Sequence, residues 1–134
     1  EIAGKQTVNF NISHSGEFIL EGFAVGMDIG VDVQEMAGCP DYREIAGNFY
    51  TAEEAEDVIN EGPELFFQYW AAKEAYVKAI GIGLGRGMDF FSVRNGEITE
   101  KGRKGQGWHL YPVKIEGYAA YVAAHKKGDK SNEL

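Results

Sequence analysis

The stretch from Gly62 to Gly81 constrains the fold more than any other part of the chain. Gly62-Pro63 opens a helix there, because proline fits a first turn whose N–H needs no intrahelical partner. Gly81 closes it, as glycine suits the left-handed residue that follows a helix. Between them Leu65, Phe66, Tyr69, Trp70, Tyr76, Val77 and Ile80 form a broad apolar stripe. Such a helix needs other elements to cover it.

The flanking segments read as strands. Val8, Phe10 and Ile12 alternate with Asn9 and Asn11, a turn is expected at 13–16, and residues 18–25 are expected to pair back. A third strand at 27–34 sets Ile29, Val31 and Val33 on one face, with Asp28, Gly30, Asp32 and Gln34 on the other. Residues 41–60 turn helical and acidic, with Thr51 and Glu54 spaced as a capping box. After the long helix, 89–94, 108–115 and 118–124 read as antiparallel strands, joined by turns at Asn95-Gly96 and Glu116-Gly117. The expected fold class is α+β, an antiparallel sheet with a long helix packed on one face. One domain is expected over residues 1–125, followed by a polar tail at 126–134.

Composition narrows the functions. With 21 acidic and 13 basic residues the formal charge is -8, which argues against a broad nucleic-acid surface. An anionic ligand would need local cations, either Lys73, Lys78 and Arg86 or the group Lys101, Arg103 and Lys104, the latter read first as solvated surface. Cys39 is the single cysteine, so a reducing, cytoplasmic setting is the plain reading. No membrane-spanning run and no signal peptide is read, and the absent initiator Met leads us to expect that something upstream was removed.

Several residues could carry chemistry. Glu74 and Lys78 are four apart and share a helix face, either as a surface pair worth about 0.3 kcal/mol or as charges lining a cleft among Phe67, Trp70, Ala71, Ala75 and Tyr76. Asp32 and Gln34 are either solvated polar residues or oxygen ligands that meet Glu74 around magnesium. His14 is a turn histidine or a phosphate donor. The alternating glycines 81, 83, 85 and 87 are a helix exit, since they follow a helix and lack a Gly-Lys-Ser/Thr end. No serine sits in a nucleophile elbow and no histidine spacing suggests zinc.

In order along the chain stand Phe10-Asn11-Ile12-Ser13-His14-Ser15-Gly16, Gly30-Val31-Asp32-Val33, and Trp70-Ala71-Ala72-Lys73-Glu74-Ala75-Tyr76-Val77-Lys78-Ala79 with Gly81-Ile82-Gly83-Leu84. This series resembles the successive motifs of 4'-phosphopantetheinyl transferases of the surfactin-activating type. The resemblance implies that Asp32 and Glu74 hold magnesium on the coenzyme A pyrophosphate, with Gln34 as a third metal position. It implies that Lys78 stabilises charge during transfer, and that Ser13, His14 and Lys73 contact coenzyme A phosphates. The acceptor would be a serine of an acyl or peptidyl carrier protein. Glu54 is a weaker candidate, read first as a capping glutamate and left out of the core set.

The resemblance has two departures. The third metal position is usually glutamate in this type, and Gln34 brings no charge there. Enzymes of this type also resemble two similar halves in one chain, and this sequence resembles the C-terminal half. A homo-oligomer or a partnering N-terminal half is therefore expected, its contact surface apolar. The rival readings are a non-catalytic half-domain that binds coenzyme A and one that binds a carrier protein.

Overall fold

The computed structural model describes residues 8–82, 87–101 and 103–126. The glycine run at 83–86, with Arg86, and the tail at 127–134 lie outside the described residues. Three strands, three helices and four further strands follow in order: β1 Val8–Ser15, β2 Phe18–Val25, β3 Met27–Glu35, α1 Tyr42–Phe49, α2 Ala52–Glu61, α3 Pro63–Ile80, β4 Thr99–Glu100, β5 Arg103–Lys104, β6 Trp108–Pro112 and β7 Tyr118–Lys126. The architecture is α+β and antiparallel, as the sequence indicates.

The central sheet has the order β3-β7-β6, with β1 and β2 a separate antiparallel ribbon and β4 and β5 a short hairpin. Helix α3 packs against both β3 and β7. Alanines permit this closeness: Ala71, Ala72 and Ala75 on the helix are buried, as are Ala123, the register partner of Gly30, and Ala119, which shares its helix-facing side of β7. Gly30 permits it on β3. A Cβ there would overlap Ala75 O and stand 2.6 Å from Ala79 N, both on the helix backbone. The polar face of β3 is therefore covered by α3, which puts Asp32 against the helix and not in solvent.

Among the described residues the outer edge of β3 has no strand partner, and side chains of β1 fill its place. Asn9 Nδ2 donates to Met27 O (2.5 Å), Asn11 Oδ1 accepts from Val31 N (2.9 Å), Ser13 Oγ from Val33 N (3.1 Å) and Ser15 Oγ from Glu35 N (2.8 Å). These contacts carry β1 through Ser15, so the expected turn at 13–16 falls instead at Gly16 and Glu17. Tyr118 seats that turn, its hydroxyl accepting from Glu17 N (3.3 Å) while its ring meets Phe18 edge-on.

One further expectation gains detail and another needs correction. Residues 41–60 form two helices, because Thr51 caps α2 with the expected box: its hydroxyl accepts from Glu54 N and the Glu54 carboxylate accepts from Thr51 N. Residues 89–94 form no strand beyond a single bridge between Ser92 and Thr99. The backbone groups that a strand would use are taken by buried side chains: Val93 N donates to Glu54 and Phe91 O accepts from Lys73. Among the described residues no helix is long and apolar enough to cross a membrane.

The Gly30 approach predicts that Gly30→Ala separates α3 from β3. Thermal or urea unfolding is expected to show a loss of about 3 kcal/mol, the upper range for overpacking a core. A loss within error of zero would show that the helix can retreat.

Candidate active site

The site is built where β1, β3 and α3 converge. Lys78, in the last turn of α3, reaches past β3 and donates to Val31 O and Ile12 O, each at 2.8 Å. One ammonium thus ties the helix to two strands. Beside it, Asp32 is only 5% exposed. Ser13 Oγ donates to Asp32 Oδ1 (3.3 Å) and Gln34 Nε2 donates to Asp32 Oδ2 (2.7 Å).

Burial dominates the electrostatics here. It lifts the Asp32 carboxyl to about 6; the Gln34 and Ser13 hydrogen bonds and the Lys78 charge oppose the rise, and the Glu74 charge adds to it. Burial also raises Glu74 above the usual carboxylate range, with Lys78 opposing. Lys78 is lowered by burial and held up by Asp32 and Glu74. Asp32, Glu74 and Lys78 therefore form one coupled group, and the cleft reading of the Glu74–Lys78 pair is the one the structure carries.

Ser13, Asp32, Gln34, Glu74 and Lys78 are brought together, whereas two candidates go elsewhere. His14 lies on the opposite face of β1 from Ser13, exposed, and in register with Ile19. Lys73, which the resemblance sets against a phosphate, is fully buried. Its Nζ donates to Glu54 Oε1 (2.7 Å) and Phe91 O (2.5 Å) and lies 4.1 Å from the centre of the Phe91 ring. Burial lowers the lysine, and the Glu54 charge opposes that. Lys73 joins α2, α3 and the 89–93 segment and presents no exposed nitrogen to a ligand. Its neighbour Glu74 is turned to the cleft by the quarter-turn between adjacent helical residues.

The lacing residues Asn9, Asn11 and Ser15 were not singled out as functional from sequence. Their signal was present in the alternation of small polar side chains along β1. An apolar groove of about 220 Å³ also opens at Gln34, walled by Cys39, Ile45, Phe66, Phe67 and Trp70. A hollow of about 600 Å³ between the start of α2 and residues 89–101 includes none of Asp32, Glu74 and Lys78.

The donor set is compatible with a hard cation such as magnesium, which takes one or two carboxylates and leaves its other positions to water and phosphate oxygens. Among the described residues no group of three or more His, Cys, Asp or Glu is placed to hold a metal. The fit is therefore to a site with two carboxylates, Asp32 and Glu74.

The model of the 4'-phosphopantetheinyl transferase superfamily matches residues 28–124, and the chain belongs to that superfamily. Its likeness extends to the surfactin-type enzymes: it is 36% identical over 90 residues to the 4'-phosphopantetheinyl transferase Sfp of Bacillus subtilis, covering 64% of this chain and 39% of that one. It is 39% identical over 84 residues to a 4'-phosphopantetheinyl transferase, itself assigned as putative, of a Synechocystis species, covering 60% and 34%. The human L-aminoadipate-semialdehyde dehydrogenase-phosphopantetheinyl transferase is 31% identical over 146 residues, covering 92% and 47%. The chain thus spans less than half the length of these relatives. The fold is shared with a holo-(acyl-carrier-protein) synthase from Bacillus anthracis, solved in complex with CoA, at a TM-score of 0.53 and 21% identity, covering 75% of this chain and 96% of that one.

The Asp32 shift predicts the stability of the metal-free protein. The folded carboxyl titrates near 6 and the unfolded one near 3.8, so the native state binds the extra proton. This carboxyl therefore costs no stability below about pH 3.8, and the cost grows as pH rises to 6 and then levels off. Asp32→Asn is expected to raise stability at pH 7.5 by about 2 to 3 kcal/mol. The gain should vanish at pH 3.5, as thermal denaturation in EDTA at both pH values would show.

Proposed function

We propose that this chain carries the catalytic half of a 4'-phosphopantetheinyl transferase, which moves the phosphopantetheine arm of coenzyme A to a serine of an acyl or peptidyl carrier protein. The observation that carries the reading is the convergence of Asp32, Glu74 and Lys78 in one partly desolvated group, at the positions where the family resemblance sets its chemistry. Magnesium held by Asp32 and Glu74 would supply charge neutralisation on the diphosphate.

In this reading the carrier serine hydroxyl attacks the phosphorus nearer pantetheine. The new P–O bond forms as the bond to the leaving adenosine 3',5'-bisphosphate breaks. Glu74, whose raised pKa makes it a better proton acceptor than an ordinary carboxylate, takes the serine proton directly or through water. Lys78, held by two carbonyl oxygens, places a fixed positive charge beside the transferred phosphoryl group. The groove at Phe66, Phe67 and Trp70 offers the pantetheine arm an apolar wall. His14, exposed on the far face of β1, remains the candidate for a more distant phosphate, and Lys73 supports α3 from within. Rigid placement and electrostatics supply most of the rate in such a transfer.

The ribbon formed by β1 and β2 supports a second half-domain as a further partner. On its outer face Val8, Phe10, Ile12, Ile19, Phe23 and Val25 are all exposed, Phe10 and Phe23 by 67% each. Cross-strand pairing sets Val8 beside Val25 and Phe10 beside Phe23, so the patch is continuous. A second half-domain covering this face, whether a separate polypeptide or a second copy, accounts for the exposure and for the greater length of the relatives.

Incubation with an apo carrier protein, magnesium and coenzyme A is expected to add ~340 Da to the carrier by mass spectrometry, the mass of the transferred arm. Glu74→Ala should abolish the gain, and Lys78→Ala should slow it about 100-fold or more. A gain that survives Glu74→Ala would overturn the assignment. For the ribbon, Phe10→Asp with Phe23→Asp is expected to convert an associating chain into a monomer with unchanged far-ultraviolet circular dichroism. Sedimentation that shows the unaltered chain already monomeric at high concentration would remove the self-association form.

A further inference from the structure

Lys78 finds its two acceptors on two different strands, Val31 O on β3 and Ile12 O on β1, each at 2.8 Å. One ammonium can bridge those oxygens while β1 and β3 keep their spacing. The backbone of β1 pairs with β2, so its hold on β3 comes through side chains. Asn9 and Ser15 grip the two ends of β3, at Met27 and Glu35. Asn11 grips the middle, where its Oδ1 accepts from Val31 N at 2.9 Å. A backbone N–H only donates, so the amide must turn its carbonyl oxygen to Val31. Val31 is wholly buried, and an N–H left there without an acceptor is costly.

Asn11 is joined by the chain to Ile12. A closed ring therefore runs from Asn11 Oδ1 to Val31 N, through Val31 O to Lys78 Nζ, and back through Ile12 O. We propose that Asn11 is a positioning residue for the Lys78 charge, which it aims by holding Val31 O and Ile12 O at the spacing that one ammonium can bridge. The proposal rests on the transferase reading for what the ammonium does, and on the ring alone for how it is held. Two of the three ammonium protons go to the carbonyls, and the tetrahedral nitrogen then fixes where the third points. Without the Asn11 acceptor, β1 is free to move away at this point and Lys78 loses Ile12 O. The charge stays while its placement goes. In a transfer that draws on preorganised charge, a misplacement of about 1 Å costs about 100-fold in rate.

The ring is read without substrate from the lysine ammonium resonances of the full chain at low temperature. An ammonium held by two carbonyls exchanges its protons slowly enough to give a nitrogen–proton cross-peak, and that of Lys78 is identified by its loss in Lys78→Ala. Lys73, sealed against Glu54 and Phe91 O, gives a second peak as internal reference. Asn11→Ala is expected to erase the Lys78 peak and keep that of Lys73. Ser15→Ala, which cuts the contact at the far end of β3, is expected to keep both. A Lys78 peak that survives Asn11→Ala, or the loss of both peaks together, would overturn the proposal, as would its absence from the unaltered chain.

Transfer to an apo carrier protein reads the consequence. Asn11→Ala is expected to slow it about 10-fold or more in the unaltered background. In the Lys78→Ala background the same change should cost less than about 2-fold, because a residue that acts through the lysine has nothing left to act through. Equal losses in both backgrounds would mark a merely structural contact and overturn the role. Asn11→Asp, which keeps an acceptor of the same reach, is expected to retain most of the rate; a rate as low as that of Asn11→Ala would also overturn it. No transfer by the unaltered chain would count against the transferase reading, and the ammonium spectrum would then decide the ring by itself.

Discussion

A lysine ammonium shared between two strands is the constraint on which the arrangement depends. Lys78 spans from α3 to Val31 O and Ile12 O, so the helix, the sheet edge and the ribbon meet at one atom. The same atom lies in the field of Asp32 and Glu74, whose charges hold its proton against the cost of burial. Structure and chemistry therefore share a group: the cation that could stabilise a transferred phosphoryl also fixes where β1 sits over β3. A lysine is suited to this because its compact ammonium has three donors, which allows two carbonyls and one further partner.

The second buried lysine has the opposite character. Lys73 and Glu54 are both wholly enclosed, and no buried side-chain nitrogen or oxygen is left without a hydrogen-bond partner among the described residues. Buried pairs of this kind contribute little net stability, but removing one member is costly because the other is stranded. What the pair gives is placement: it fixes the start of α2, the middle of α3 and the 89–93 segment in one cluster. Glu54 satisfies Thr51 N, Lys73 and Val93 N with its two oxygens. Two adjacent helical residues, Lys73 and Glu74, thus have divided tasks, one facing the core and one the cleft.

Much of this was legible in the sequence because local patterns dictated it. The period of two in β1 to β3, the proline and glycine bounding α3, and the Thr51–Glu54 box all act over a few residues, and all appear in the structure. Residues whose surroundings come from distant parts of the chain were less legible. The run at 89–94 has strand-like composition, but its backbone is taken by Glu54 and Lys73, which lie 39 and 18 residues away from Val93 and Phe91 in a way no local pattern records. Lys73 and Lys78 look alike as charged residues of one helix, and only tertiary packing shows that one is sealed and the other reaches the site. The family resemblance found the polar group around Asp32, but not that Ser13 and Gln34 both donate to it.

The lacing of β3 by side chains has a consequence for solubility. An open sheet edge offers its N–H and C=O groups as a template for strands of other molecules. Here Met27 O, Val31 N, Val31 O, Val33 N and Glu35 N are already engaged by Asn9, Asn11, Ser13, Ser15 and Lys78. Because β1 binds the edge with its side chains, its own backbone is free to pair with β2, so one segment masks two potential seams. A chain that leaves an apolar ribbon face exposed is thereby guarded, at this edge, against runaway strand-to-strand growth.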